Sequence, residues 1–500
     1  MTDPVASLPE DPRIVHASSR GGTSKMGGAM TRKAALMALL DAQAPDSDRW
    51  KRKNRYYYES IERIVRFHVP PGSSVLEIGC GTGDLLAALE PSRGVGVDIS
   101  PKVVQIARGK HPTLTFHVGD VKDLAASEPF DYVILSDVVG YLDDVQRAFE
   151  RMHRACGPRT RVILTYFNYL WEPVLRLGEK AGMKRPQPDQ NWLSLDDLQN
   201  LLALAGFQTI SKGYKVLLPV RIPLLSSLCN RVLANLPVFR KLCLVETIIA
   251  RPAPVPVPEV SLSCSVVVPA RNEKGNIEDA VRRTPEMGRH TEIVFVEGNS
   301  SDGTAEEIER VIAMHPERDI KLLRQGSGVG KGDAVRKGFA AAGGDVLMIL
   351  DADLTMPPEE LPKFLKALAS GRGEFVHGSR LVYPMEKQAM RFLNTLGNKF
   401  FSLAFTWLLD QRFKDTLCGT KVLYRSDYER IAAGRSYFGD FDPFGDFDLI
   451  FGSAKLDLKI VEIPIRYRER TYGATQISRF RHGWLLLQMC LFALRRIKFV

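Results

Sequence analysis

The sequence predicts an α/β protein made of two different strand–helix units in one chain. Three observations predict it. Strand-like apolar runs alternate with helix-like stretches from about residue 50 to 251, and again from 263 onward. Between them, Arg251-Pro-Ala-Pro-Val-Pro-Val-Pro258 sets proline at every second position, which excludes a helix and favours a stiff extended crossing. Within each unit, glycine-rich or acidic turns directly follow buried strands, where open α/β sheets bind ligands. No internal repeat relates the units.

The elements follow in order. Residues 1–48 are polar and rich in Gly, Ser, Asp and Pro; they read as a flexible segment with a short helix over 31–40. A first domain is expected over 49–250, a Pro-rich linker over 251–262, and a second domain over 263–500. The chain has 500 residues, 45% hydrophobic and 25% charged, enough to bury two cores. Its seven cysteines are scattered without a C-x-x-C pair, which speaks against a disulfide framework or zinc ribbon and for a reducing compartment. The opening residues lack the basic-then-apolar pattern of a secretory leader. The longest apolar run, 484–494, is too short to span a bilayer. The net charge of +10 implies an anionic partner without choosing one.

In the first unit, 75–78 reads as a buried strand and Gly79, Gly81 and Gly83 as a tight turn, with a helix starting at Asp84. Such a turn lets backbone approach a ligand and aims N–H groups at it. Asp98 ends the next strand, about 20 positions on, and is placed to grip a ribose diol. The spacing is G-x-G-x-G with Glu77 before it, not the G-x-G-x-x-G of dinucleotide sites. Asp120 and Asp137 follow the third and fourth strands. Over residues 50–210 this block resembles the class I S-adenosylmethionine (SAM) dependent methyltransferases, and a Rossmann-like fold is expected. The resemblance implies that Glu77, Gly79, Gly81 and Gly83 contact the methionine part. It places Asp98 on the ribose, Asp120 near the adenine amine and Asp137 beside the methyl donor. Tyr141, His153, Tyr166 and Asn168 are acceptor-side candidates, and Ser194 is expected to cap a helix beginning at Leu195.

In the second unit, a strand ends in Pro269-Ala-Arg-Asn-Glu273, the next in Glu297-Gly-Asn-Ser-Ser-Asp-Gly-Thr304, and a third in Asp351-Ala-Asp353. Two carboxylates at a strand end can serve a nucleotide and a divalent metal that offsets diphosphate charge. This half resembles the family 2 inverting glycosyltransferases of the GT-A fold, and among them the dolichyl- and polyprenyl-phosphate glycosyltransferases. Gly330-Lys-Gly, Gly378-Ser-Arg380, Asp415-Thr-Leu-Cys-Gly-Thr-Lys421 and Gly445-Asp-Phe-Asp-Leu449 carry the likeness further. It implies that Pro269, Ala270, Arg271 and Glu273 line the nucleotide pocket, with Glu297 on the base or ribose. Lys331 would meet the diphosphate. Asp351 and Asp353 would hold nucleotide and metal (Mg or Mn), and Asp446, Asp448 and Arg470 would act at the reaction centre. The usual D-D-G-S turn is Glu297-Gly-Asn-Ser300 here, Asp448 replaces a Glu, Thr420 replaces a Phe, and the spacing after Arg470 is longer.

Basic residues border apolar aromatic stretches at 391–409 and 466–498, a pattern that favours a membrane interface. The expected whole is a cytoplasmic two-activity transferase, peripheral at the inner face of a membrane, using SAM, a nucleotide sugar and a lipid-phosphate acceptor. The alternative is a glycosyltransferase with a non-catalytic SAM- or nucleotide-binding regulatory module. A nucleic-acid methyltransferase is disfavoured. No N/D-P-P-Y/F motif follows the fourth strand, where Asp137-Val-Val-Gly140 stands.

Overall fold

The computed structural model describes residues 32–121, 128–188, 190–328, 330–383, 392–437, 447–473 and 479–498. Its described strands form two seven-stranded sheets. The first holds β1 (Ser74–Ile78), β2 (Arg93–Asp98), β3 (Thr115–Val118), β4 (Phe130–Ser136), β5 (Cys156–Phe167), β6 (Phe207–Lys215) and β7 (Val245–Pro252). Their order is β3-β2-β1-β4-β5-β7-β6, all parallel except β7, which runs against β5 and β6. The order reverses direction between β1 and β4, so a crevice opens beyond their carboxyl ends.

The second sheet holds β8 (Ser263–Ala270), β9 (His290–Glu297), β10 (Asp319–Arg324), β11 (Val346–Ile349), β12 (Phe375–Ser379), β13 (Lys421–Tyr424) and β14 (Ile460–Pro464). Its order is β10-β9-β8-β11-β13-β12-β14, with β13 antiparallel to both neighbours. Both sheets are buried on both faces, which explains the near-continuous apolar runs of strands such as Ser263–Ala270.

The flexible segment expected over 1–48 gives way to order in its described part. Helices Arg32–Gln43 and Ser47–Lys53 lead into Arg55–His68, whose Tyr57, Ile61 and Val65 recur at four-residue spacing and are buried. Leu36 and Ala44 anchor the leading helices. The Pro-rich crossing is docked rather than loose: the Val257 N–H donates to the Ala369 carbonyl at 2.8 Å, and Pro254 packs over Gly371. Ser194 caps the helix Leu195–Leu204 in a reciprocal box with Asp197.

The sheets meet through a buried charged seam. Arg161 of β5 donates to Glu374 at 2.8 Å and to the Asp457 carbonyl at 2.9 Å, while Arg251 of β7 reaches the other Glu374 oxygen at 3.1 Å. Burial alone would raise the Glu374 carboxyl, yet the two guanidiniums hold it below its usual range. His68 adds a contact to Asp457 at 2.9 Å. No helix among the described residues is long and apolar enough to cross a membrane.

Candidate functional sites

The first site lies beyond β1, β2 and β4. Gly79, Gly81 and Gly83 all take positive φ (73°, 54° and 77°), the region that favours glycine. A Cβ on Gly79 would meet Val138 at 2.5 Å and one on Gly83 would meet Phe116 at 2.6 Å, whereas one on Gly81 would point into open space. Asp98 turns toward this loop. Its carboxylate accepts from the Gly81 N–H and the Ser100 N–H, each at 3.0 Å.

Glu77, Gly79, Gly81, Asp98, Asp120 and Asp137 line one cavity of about 1030 Å³; Gly83 stands behind it and starts the next helix. Burial pushes Glu77 up to about 8 despite Lys51 nearby, and its Oε2 is buried without a partner among the described residues. Burial likewise raises Asp137 to about 6, against hydrogen bonds from the Tyr57 hydroxyl at 2.5 Å and the Thr165 hydroxyl. Asp98 is also raised by burial, with the Ser100 and Gly81 N–H groups opposing.

The N-terminal helices roof this cavity; the sequence placed a short helix over 31–40, found as Arg32–Gln43, but not its roofing role. Lys33 pairs with Asp120 at 2.6 Å, and Lys51 donates to Thr82 and Asp84, each at 2.6 Å. The four-residue spacing of Tyr57, Ile61 and Val65 was the available signal. Of the acceptor-side candidates, Tyr141 lines the cavity with its hydroxyl buried and unpartnered among the described residues. The others are structural pins. His153 bonds the Ala205 carbonyl and stacks on Phe207, the Tyr166 hydroxyl bonds the Asn191 carbonyl, and Asn168 holds the carbonyls of Lys241 and Cys243.

The residues fit SAM. An open face at Gly81, carboxylates spaced along the cavity and an orphaned buried Glu77 oxygen suit a ligand with a polar amino-acid end, a ribose and a positive sulfur.

The second site lies beyond β8, β9 and β11. Lys331, in the first turn of helix Gly330–Ala341, pairs with Asp351 at 2.5 Å. Burial would raise Asp351, but Lys331, backed by Lys421 and Arg380, holds it below the usual carboxylate range. Arg470 bridges Glu273 at 2.8 Å and Asp353 at 2.7 Å, joining the end of β8 to the D-x-D turn. Asp353 also accepts from the Thr355 hydroxyl at 2.8 Å. Glu297 turns onto its own loop, accepting from the Ser300 N–H at 2.5 Å. Pro269 and Ala270 complete β8, with Ala270 buried and its carbonyl on the Gly298 N–H, while Arg271 is exposed at the strand end.

Asp448 has its own arginine partners. It is buried near the start of helix Phe447–Lys455, with Arg435 at 3.4 Å and Arg336 at 3.9 Å. Asp446 lies outside the described residues. Behind the D-x-D turn, Arg380 clamps Asp415 in two hydrogen bonds at 2.7 and 2.8 Å, which joins the G-S-R and D-T-L-C-G segments.

The metal expected at Asp351 and Asp353 finds a poor donor set. Among the described residues no three acidic, His or Cys groups converge, and the two carboxylates already face an ammonium and a guanidinium.

Comparison with known proteins agrees with this division. Residues 49–212 match the family model described as a methyltransferase domain, and residues 265–430 match glycosyl transferase family 2. The chain therefore carries a methyltransferase domain and a family 2 glycosyltransferase domain. It is 36% identical over 223 residues to the dolichol-phosphate mannosyltransferase of Pyrococcus furiosus, covering 43% of this chain and 60% of that protein. It is 39% identical over 114 residues to the Saccharomyces cerevisiae dolichol-phosphate mannosyltransferase, covering 22% and 42%. The chain thus spans less than two thirds of these relatives' own lengths. Among solved structures, magnesium protoporphyrin IX methyltransferase of Synechocystis PCC 6803 superposes with a TM-score of 0.31 at 18% identity, covering 44% of this chain and 98% of that one.

Proposed function

We propose that the chain is a bifunctional transferase, moving a methyl group from SAM in its first half and a sugar from a nucleotide diphosphate to a polyprenyl phosphate in its second. The domains take the limits 49–250 and 263–500, with 251–262 as the linker. The observation that carries the reading is that each half keeps an intact strand-end constellation. One is Glu77, the glycine turn and Asp98; the other is Glu273, Lys331, Asp351, Asp353 and Arg470.

In the first half, bound SAM supplies a methyl group on a positive sulfur that a nucleophile can displace. Asp98 and the Gly81 backbone orient the ribose end, and the roof helices exclude water. Tyr141 offers an unpartnered hydroxyl to the acceptor, and Asp137, poised near 6, can take its proton.

In the second half, Lys331 and Arg470 turn from their carboxylates toward the diphosphate and balance the charge that grows on the leaving group. A phosphate acceptor is already ionised near neutral pH, so no general base is needed. Asp448, paired with Arg435 and Arg336, is then not required as a base. The enzyme works in the cytoplasm, at the inner face of the membrane.

Calorimetry with SAM and a panel of UDP- and GDP-sugars, with and without manganese or magnesium, tests the reading. SAM and one nucleotide sugar are each expected to bind, and Asp98→Ala is expected to weaken SAM by about 100-fold with the sugar response unchanged. SAM binding with no response to any nucleotide sugar overturns the double-enzyme account. SAM binding without labelled-methyl turnover in the presence of lipid extracts favours the regulatory-module alternative.

A further inference from the structure

The stretch between β6 and β7 crosses the surface without a long helix. It contains a short helical run made of an α-turn at Leu225–Ser227, a π-turn at Leu228–Val232 and a 3₁₀ turn at Leu233–Asn235, then a single helical turn at Pro237–Arg240. Residues 212–245 hold Lys212, Lys215, Arg221, Arg231, Arg240 and Lys241 and no aspartate or glutamate. Between the buried Val216 and Leu244, many of its apolar side chains face outward. Leu224 is 90% exposed and Val238 79%, with Ile222, Leu225, Leu228 and Leu242 exposed beside them. Leu224 also takes a positive φ of 62°, a backbone cost that no buried contact of its side chain offsets.

This stretch adjoins two helices of the second half. The Trp407 indole donates to the Asn235 carbonyl at 2.6 Å, Asn235 donates to the Lys498 carbonyl at 3.1 Å, and Arg240 and Lys498 share Asp410. Helix Phe392–Leu409 buries Phe405 against Phe447 and Phe451 while presenting Phe400 and Leu403 outward, and helix Arg479–Ala493 presents Trp484 and Leu491. Neither helix contains an acidic residue. Arg221, Arg231, Lys241 and Arg495 are exposed and have no carboxylate partner among the described residues.

We propose that residues 217–242 of the methyltransferase half form, with the outer faces of those two helices, one continuous surface that lies on an anionic bilayer. Exposed leucine and valine among unpaired cations, with no acid in the stretch, match the acyl boundary and the headgroups of such a bilayer together. Pro219 and Val220 belong both to this stretch and to the wall of the methyltransferase cavity, so that cavity borders the lipid. The proposal extends the peripheral-membrane reading to the first half and rests on that reading for its choice of a bilayer as the occupant.

Flotation of the full chain with phosphatidylglycerol–phosphatidylcholine vesicles, and with phosphatidylcholine alone, tests it. The wild type is expected to float with the anionic vesicles and to release as salt rises. Leu225→Asp/Val238→Asp is expected to weaken partition by at least about tenfold. Leu225→Ser/Val238→Ser, milder at the same exposed sites, is expected to lose less. Unchanged melting of both variants excludes misfolding as the cause. If Phe400→Asp/Leu403→Asp loses binding while Leu225→Asp/Val238→Asp does not, the lipid surface belongs to the second half alone; the proposal then falls and the earlier reading stands. If no variant differs from a wild type that fails to float, both fall. If Leu225→Asp/Val238→Asp instead dissolves a dimer seen by sedimentation, the face is a self-association surface and the proposal is overturned.

Discussion

The two crevices occupy the same place in their sheets and differ in how most of their carboxyls are paired. In the first, burial holds Glu77, Asp98 and Asp137 above their usual values, while Asp84 on the same wall is held below its own against burial by Lys51 and Lys110. In the second, Asp351 is held below its usual value by Lys331, and Arg470 spans Glu273 and Asp353, although burial still leaves Glu273 above its usual value. A pocket of desolvated carboxyls awaits a cation; a turn whose carboxylates already hold cations has positive charge to lend to an anion. The sulfonium of SAM and the diphosphate of a sugar nucleotide are those two ligand types.

Removing the cation from the second crevice tests this contrast most severely. Arg470→Ala leaves Glu273 and Asp353 facing each other without a shared partner, so nucleotide-sugar affinity is expected to fall by about 100-fold or more, with SAM affinity untouched. Titration calorimetry of both ligands reads the difference, and equal losses would break the comparison.

A pH series sharpens it. Carboxyls with raised values are neutral below those values and charged above them. They therefore favour the folded state at low pH, and that contribution is lost as pH rises through about 6 for Asp137 and about 8 for Glu77. Binding a cation has the opposite slope. SAM affinity is expected to climb between those values, by at most about tenfold per pH unit for each group. Glu77→Gln should flatten the upper limb while the nucleotide-sugar response shows no such climb. A SAM affinity flat across the range would sink the cation reading.

The smallest effect concerns the roof. Lys33 and Asp120 are partly exposed, so Lys33→Ala is expected to change SAM affinity by no more than about fivefold. Dissociation rates by stopped flow should move more than association rates if the roof helix retains the ligand.

Much of this was legible in the residues. The glycine turn with Asp98 and the D-x-D turn with Glu273 and Lys331 are local patterns at strand ends, and strand ends follow from apolar runs. The roof was not legible, because Lys33, Lys51 and Tyr57 reach the cavity from helices whose packing depends on distant partners. Arg470 was placed at the reaction centre by resemblance, but its bridge to Glu273, across nearly the whole second half, was not legible. The aromatic helix Phe392–Leu409 divides between both expectations, with Phe405 in the core and Phe400 outside. The reading of Glu297 as a base or ribose contact overlooked its own Ser300 N–H, which takes one oxygen.

The seam at Glu374 bears on how the protein is made. A ribosome releases the amino-terminal sheet first, with the guanidiniums of Arg161 and Arg251 still awaiting a counter-charge encoded far downstream. Until that glutamate emerges, the nascent sheet must keep both groups hydrated at what will become an interior face. The finished fold therefore joins the two bodies through one buried ion cluster, in which each body supplies the charge that the other neutralises.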